Sequence, residues 1–159
     1  NLLLAGEIDA LLAPKPPQAF LDGDPKIRRI FEDPEAAERD WHARTGFFPI
    51  MHLVAIRKTL AAANPWLPRA LYKAFVKARD LALDRLREIW LGSANRLSLP
   101  WFGAALERSR EAFGEDPWSY GVSANRAELD TLCRWSHEQH LSTRRLRIDE
   151  LFHPSVLAT

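Results

Sequence analysis

Apolar positions follow two regimes along the chain, and the change comes near Lys58. Before it they gather in short continuous runs. Ile8 to Ala13 is one such run, closed by Pro14, and it predicts a short buried strand. Phe47 to Arg57 is the longer one, rich in large apolar side chains and ending Leu-Val-Ala-Ile-Arg, and it predicts the principal strand. Pro49 must then sit at its start or on an edge, since proline gives no N–H to a ladder. Past Lys58 the spacing becomes helical. Leu67, Leu71, Phe75, Ala78, Ala82, Leu86 and Ile89 step by fours and threes and predict one long amphipathic helix ending at Gly92.

The punctuation between these runs sharpens the reading. Asn1 to Gly6 reads as the last turn of a helix closed by glycine, which implies sequence upstream and marks the chain as a C-terminal part of a larger protein. Pro14, Pro16 and Pro17 make a stiff loop, and Asp22-Gly23-Asp24-Pro25 is turn chemistry before a short extended piece at Ile27 to Phe31. Asp33 followed by Pro34 predicts a capped helix that Gly46 stops. Further helices are predicted from Pro100 to Phe113, from Asn125 to Gln139 with a capping box formed by Asn125 and Glu128, and over Asp149 to Phe152. Three Pro-Trp pairs recur at uneven spacing and make no repeat. The order is strand, helix, strand, then helices, an α/β piece with few strands and a mostly helical part after residue 58.

Composition narrows the function classes. The 159 residues are 47% hydrophobic and 27% charged, an ordinary globular balance. A net charge of +1 offers no nucleic-acid footprint. The run Arg144-Arg145-Leu146-Arg147 reads as a solvated face, with a phosphate or partner contact as the other reading. No stretch reaches the roughly 20 apolar residues of a membrane span. Cys133, the single cysteine, excludes an internal disulfide and suits a reducing compartment; its apolar setting reads as a small buried hydrophobe.

Candidate chemistry is sparse. His52 lies inside the apolar run Ile50 to Ile56, where an imidazole titrating near neutrality can give or take a proton. The alternative is a hydrogen-bonded core or edge histidine. His137 and His140 lie three apart with no third ligand indicated, a spacing unlike the zinc-protease pattern, and read as solvated histidines at a helix C-terminus. Arg44, Arg57, Arg96 and Arg126 are candidate carboxylate partners, because a guanidinium matches a carboxylate with two parallel hydrogen bonds. Most of the six tryptophans read as packing residues. Phosphate-binding glycine loops and nucleophile elbows are absent.

Several strings together resemble the 4,5-dihydroxyphthalate decarboxylase family: Leu4 to Leu11 (LAGEIDAL), Arg44 to His52 (RTGFFPIMH), Asn64 to Leu67, Leu71 to Phe75, Asp116 to Gly121 (DPWSYG) and Asn125-Arg126. The second and the last two are the specific ones. The likeness spans nearly the whole chain but only the C-terminal half of such a protein. It implies a two-lobed fold similar to type II periplasmic binding proteins. Residues 1–46 would then be a remnant of the second α/β lobe, 47–57 a strand crossing the hinge, and 58–159 a helical region packing on a first lobe that is absent. The implied reaction is decarboxylation of 4,5-dihydroxyphthalate, or a similar dihydroxylated aromatic acid, to protocatechuate and CO2, with the chain inactive by itself.

From the chemistry of that reaction and the place of the motifs, His52 is assigned as proton donor or partner of the phenol, and Arg44, Thr45 and Arg126 as substrate-binding residues. No organic cofactor is implied; a divalent metal stays open, since catechols chelate. The partner expected is a small aromatic dicarboxylate, with no nucleic acid and no membrane, in the cytoplasm. The rival of the same fold class is a solute-binding protein of an ABC-type transporter, periplasmic and without catalysis. A second rival gives the helical half a role in association, and homo-oligomer formation stays open.

Overall fold

The computed structural model describes residues 2–92, 96–116 and 118–159. Asn1 of the opening turn and Pro117 of the Asp116–Gly121 string lie outside them. The chain divides into two compact units, residues 1–46 and 47–159.

The first unit holds α1 (Leu2–Ala5), α2 (Gln18–Leu21) and α3 (Pro34–Thr45). α3 forms as its ends dictate. The Asp33 carboxylate accepts from the amide of Ala36 at 3.0 Å, Pro34 takes the position where an N–H has no partner, and Gly46 turns left-handed at φ 71°. The Asp22–Pro25 turn is closed by Gly23 at φ 77° and by the Asp24 carboxylate, which accepts from the amide of Lys26 at 2.9 Å. The Arg29 guanidinium lies 5.5 Å from the Phe20 ring centre. Ala19 is buried.

The second unit begins with an extended segment, residues 47–57, followed by α4 (Lys58–Ala63), α5 (Leu67–Leu91), α6 (Phe102–Phe113), α7 (Arg126–Glu138) and α8 (Ile148–Leu151), with a 3-10 turn at Pro154–Val156. Its core is Val122, Leu129 and Ile148, with Ile50, Phe152, Val156 and Leu157 packed on them. Each buried aliphatic side chain of this kind contributes on the order of 2 kcal/mol. The 3-10 turn packs against α5, and α8 against α7. Gly103 lets α6 approach Trp90, for a Cβ there would stand 3.0 Å from the indole.

The α/β expectation fails here. Among the described residues the chain is helical and has no strand. Ile8–Ala13 and Phe47–Arg57 are extended or irregular, and no ladder joins either to a neighbour. A strand exists only through its partner's N–H and C=O groups, which an apolar run cannot supply for itself. Pro14, Pro16, Pro17 and Pro49 also remove donors where a ladder would need them.

Two finer expectations are also corrected. Asn125 does not cap α7 with its side chain but turns back on the preceding loop. The inner side of α5 is rotated from the predicted stripe: Leu67, Leu71 and Ile89 of that stripe are half-buried, as are Tyr72, Val76, Leu83 and Trp90 beside it, whereas Phe75, Ala78, Ala82 and Leu86 are exposed.

Candidate functional site

The two most specific strings of the sequence meet in the second unit. The extended segment lays Phe48 edge-on against Phe113 and Trp118, with ring centres 5.0 and 4.8 Å apart and planes near perpendicular at 81° and 82°. Such edge-to-face pairs contribute roughly 1 kcal/mol beyond their burial. Two residues on, Ile50 packs on the core that contains Val122. Alternation of side chains along extended backbone puts Phe48 and Ile50 on one side, and His52 follows at the same spacing. His52 itself is exposed, between exposed Met51 and Leu53.

The loop that receives this segment is fastened by side chains from afar. Arg79 of α5 donates to the Asp116 carboxylate at 3.0 Å and to the Trp118 carbonyl at 3.1 Å, and its guanidinium lies 5.1 Å from the Tyr120 ring centre. It also donates to Asp80 at 2.8 and 3.0 Å. The Arg79 side chain is only 15% exposed, against 38% or more for the other ion-paired arginines. Burial works against its charge, but the bonded carboxylate of Asp80 and the nearby Asp116 outweigh it and raise its pKa. The arginine is therefore a fixed cation that shapes the loop, its donors already spent on neighbours.

Asn125 and Thr159 complete the fastening. The Asn125 amide donates to the carbonyls of Ser119 at 3.0 Å and Gly121 at 2.8 Å, and its oxygen accepts from the Ser119 hydroxyl at 3.3 Å. The amide of Ser123 donates to the Thr159 carbonyl, and the amide of Val122 to the Thr159 hydroxyl at 3.4 Å. Gly121 is required twice over: its φ is 115°, and a Cβ would stand 2.6 Å from the Thr159 backbone.

Arg126 follows this loop at the first position of α7. It is exposed and forms an ion pair with Asp149 at 3.5 Å. The basic run beyond is spent on α7 and α8: Arg145 pairs with Asp130 at 2.7 Å and Arg144 with Glu150 at 2.9 Å. Arg44 and Thr45 belong to the last turn of α3 in the other unit. Arg44 pairs with Asp40 at 2.9 Å, and the Thr45 hydroxyl donates to the Trp41 carbonyl at 2.8 Å. Arg57 stands exposed before α4, and exposed Arg96 borders an open depression with Asp84, Arg87 and Glu88.

Metal ligation has no focus: among the described residues no three His, Cys, Asp or Glu side chains group as ligands. His137 lies in the last turn of α7, while His140 lies beyond it at φ 59°. Cys133 is buried and burial pushes its thiol pKa up, the state of an inert packing residue. Among the described residues no helix is long and apolar enough to cross a membrane.

In the second unit, Arg126 follows the fastened aromatic loop as an exposed cation, and His52 lies exposed two residues beyond Ile50. Arg79 is the residue the sequence did not disclose, since the partners it fastens, Asp116 and Trp118, lie far along the chain.

No family model matches the chain. Over 157 residues, 99% of this chain and 47% of the relative, it is 43% identical to the curated 4,5-dihydroxyphthalate decarboxylase of Comamonas testosteroni. A shorter match of 42 residues, 26% of this chain and 16% of the relative, is 39% identical to the 4,5-dihydroxyphthalate decarboxylase of Pseudomonas putida. The chain thus spans about half the length of the first relative.

Proposed function

We propose that the chain belongs to the 4,5-dihydroxyphthalate decarboxylase family and forms part of an enzyme that removes CO2 from 4,5-dihydroxyphthalate, or a closely similar dihydroxylated aromatic acid, to give protocatechuate. The observation that carries this is 43% identity along 99% of the chain.

The substrate dictates what the protein must supply. One hydroxyl is para to the departing carboxylate. A base takes the phenolic proton, and electron density moves through the ring. The ring carbon bearing the carboxylate takes up a proton. Its bond to the carboxylate then breaks, CO2 leaves, and the electron pair restores the aromatic ring. This calls for cations at two carboxylates and for acid–base groups at the phenol and the ring carbon.

His52 is assigned to proton transfer, as donor to the ring or partner of the phenol. Arg44 and Arg126 are assigned to the carboxylates, with Thr45 beside the first. The ion pairs Arg44–Asp40 and Arg126–Asp149 are exposed. Such pairs hold by only about 0–1 kcal/mol, so a bidentate carboxylate can displace them. Arg79 holds the Asp116–Gly121 loop in place and is assigned no contact with substrate. A reducing cytoplasm suits the single thiol.

The test is turnover of 4,5-dihydroxyphthalate, followed by release of protocatechuate and CO2. A protein of the relatives' full length is expected to react and the 159-residue stretch alone is not. His52→Ala in the longer protein should lower kcat by about 100-fold or more, the usual weight of a positioned acid or base. Near-normal turnover would remove His52 from the mechanism, and binding without turnover by the unaltered protein would remove the decarboxylase reading.

A further inference from the structure

α5 carries an order of charges that the helix itself disfavours. On its exposed side Arg69, Lys73 and Lys77 follow one another by fours in the N-terminal half, and Asp80, Asp84 and Glu88 by fours in the C-terminal half. At about 100° per residue all six lie within a sector of about 100°, one stripe along the helix, at whose edge Arg87 also falls, paired with Asp84. The helix macrodipole favours the reverse, anions first and cations last. Like charges four apart also repel along one helix. No acidic residue stands in the first turn and no basic residue in the last to offset this.

The chain answers these charges only in part. Asp80 and Asp84 have Arg79 and Arg87 at 2.8 and 3.2 Å. Among the described residues, Arg69, Lys73, Lys77 and Glu88 have no ion-pair partner within the chain. Trp66 and Leu91, 65% and 72% exposed, stand at the two ends of the same stripe.

The stripe is symmetric about the midpoint between residues 78 and 79. An antiparallel copy related by a two-fold axis at that point sets Arg69 against Glu88, Lys73 against Asp84, Lys77 against Asp80, and Trp66 against Leu91, each pair occurring twice. The two macrodipoles then oppose one another as well. We propose that this face of α5 docks a second copy of the same chain, antiparallel, over about 37 Å of helix. An acidic partner or a nucleic acid would satisfy only the basic half and be repelled by the other. The seam is mainly ionic, so the association is weak and sensitive to salt. It does not depend on which reaction the protein performs.

Sedimentation velocity on a protein of the relatives' full length over a concentration series decides it. A dimer is expected at low salt, dissociating at about 1 M, where the screening length falls to about 3 Å. Two-fold symmetry counts each substitution twice, so K73E or D84K alone should raise the dissociation constant about tenfold or more. The double variant K73E/D84K should restore the dimer, and an equal mixture of the two single variants should form a heterodimer. The substituted positions are exposed, and far-ultraviolet circular dichroism checks that the helices persist. A chain monomeric at low salt, a dimer indifferent to K73E, or a double variant and mixture that both stay monomeric would each overturn the proposal, as would a monomer that binds only an added polyanion.

Discussion

At the head of α8 the Glu150 carboxylate accepts from the Arg144 guanidinium and from the amide of Arg147, both at 2.9 Å. The hydrogen bond from Arg144 comes first among the causes, and together they hold its pKa at about 2, below the ordinary 4.5. A carboxylate lowered on folding stabilises the fold above its unfolded value and loses that contribution as pH falls through its folded value. The tie between residues 144–147 and α8 should therefore be intact above about 4.5 and fail as pH approaches about 2. A carbon-detected NMR titration of the Glu150 side chain checks this; a midpoint near 4.5 would mean the bonds are not kept in solution. Residue identity was legible where the partner is local. Asp33 before Pro34 announced its own cap, because both halves of that interaction lie within three residues. Arg79 was not legible, because Asp116 and Trp118 lie 37 and 39 positions away and only packing brings them to it.

Among the elements, the extended segment of the second unit separates pattern from pairing. Phe48 and Ile50 are anchored, but Met51, Leu53 and Val54 are each 60% exposed or more. Among the described residues the amides of Met51 to Ile56 make no backbone hydrogen bond. Their hydrogen exchange should run close to the unprotected rate, while amides in the middle of α5 are slowed; protection across 51–56 by mass spectrometry would show that a ladder forms after all. The helices were legible because each carries its periodicity and its stops internally, as α3, α5 and α6 do with Gly46, Gly92 and Gly114. Strands were misread because apolar runs are common to ladders and to segments that merely lean on a core. The rotation of α5 was missed for a related reason: an alanine-rich side, with Ala78 and Ala82, satisfies the periodicity while a neighbouring side does the packing.

Taken whole, the 159 residues cover little of their apolar surface. Leu12, Ile30, Trp101 and Leu141 stand out among many exposed large side chains, and among the described residues none is fully buried. Monomeric proteins rarely leave so much apolar surface open, and a polarity-sensitive dye reads it directly. The chain should enhance 8-anilinonaphthalene-1-sulfonate fluorescence in its native state, with helical circular dichroism unchanged; a signal equal to buffer would show that these side chains are covered. The candidate site was legible only as strings: their junction through Phe48, Trp118 and Ile50 follows from closure of the second unit, which no single stretch encodes. The clasp of Thr159 on residues 121–123 sets an order on that closure. A chain leaves the ribosome from its N-terminus, so the helices that flank the loop emerge well before the residue that locks it. The loop ahead of Arg126 thus waits for residue 159 before it is fixed, and a chain without Thr159 would keep its helices while the proposed anion contact stayed adrift.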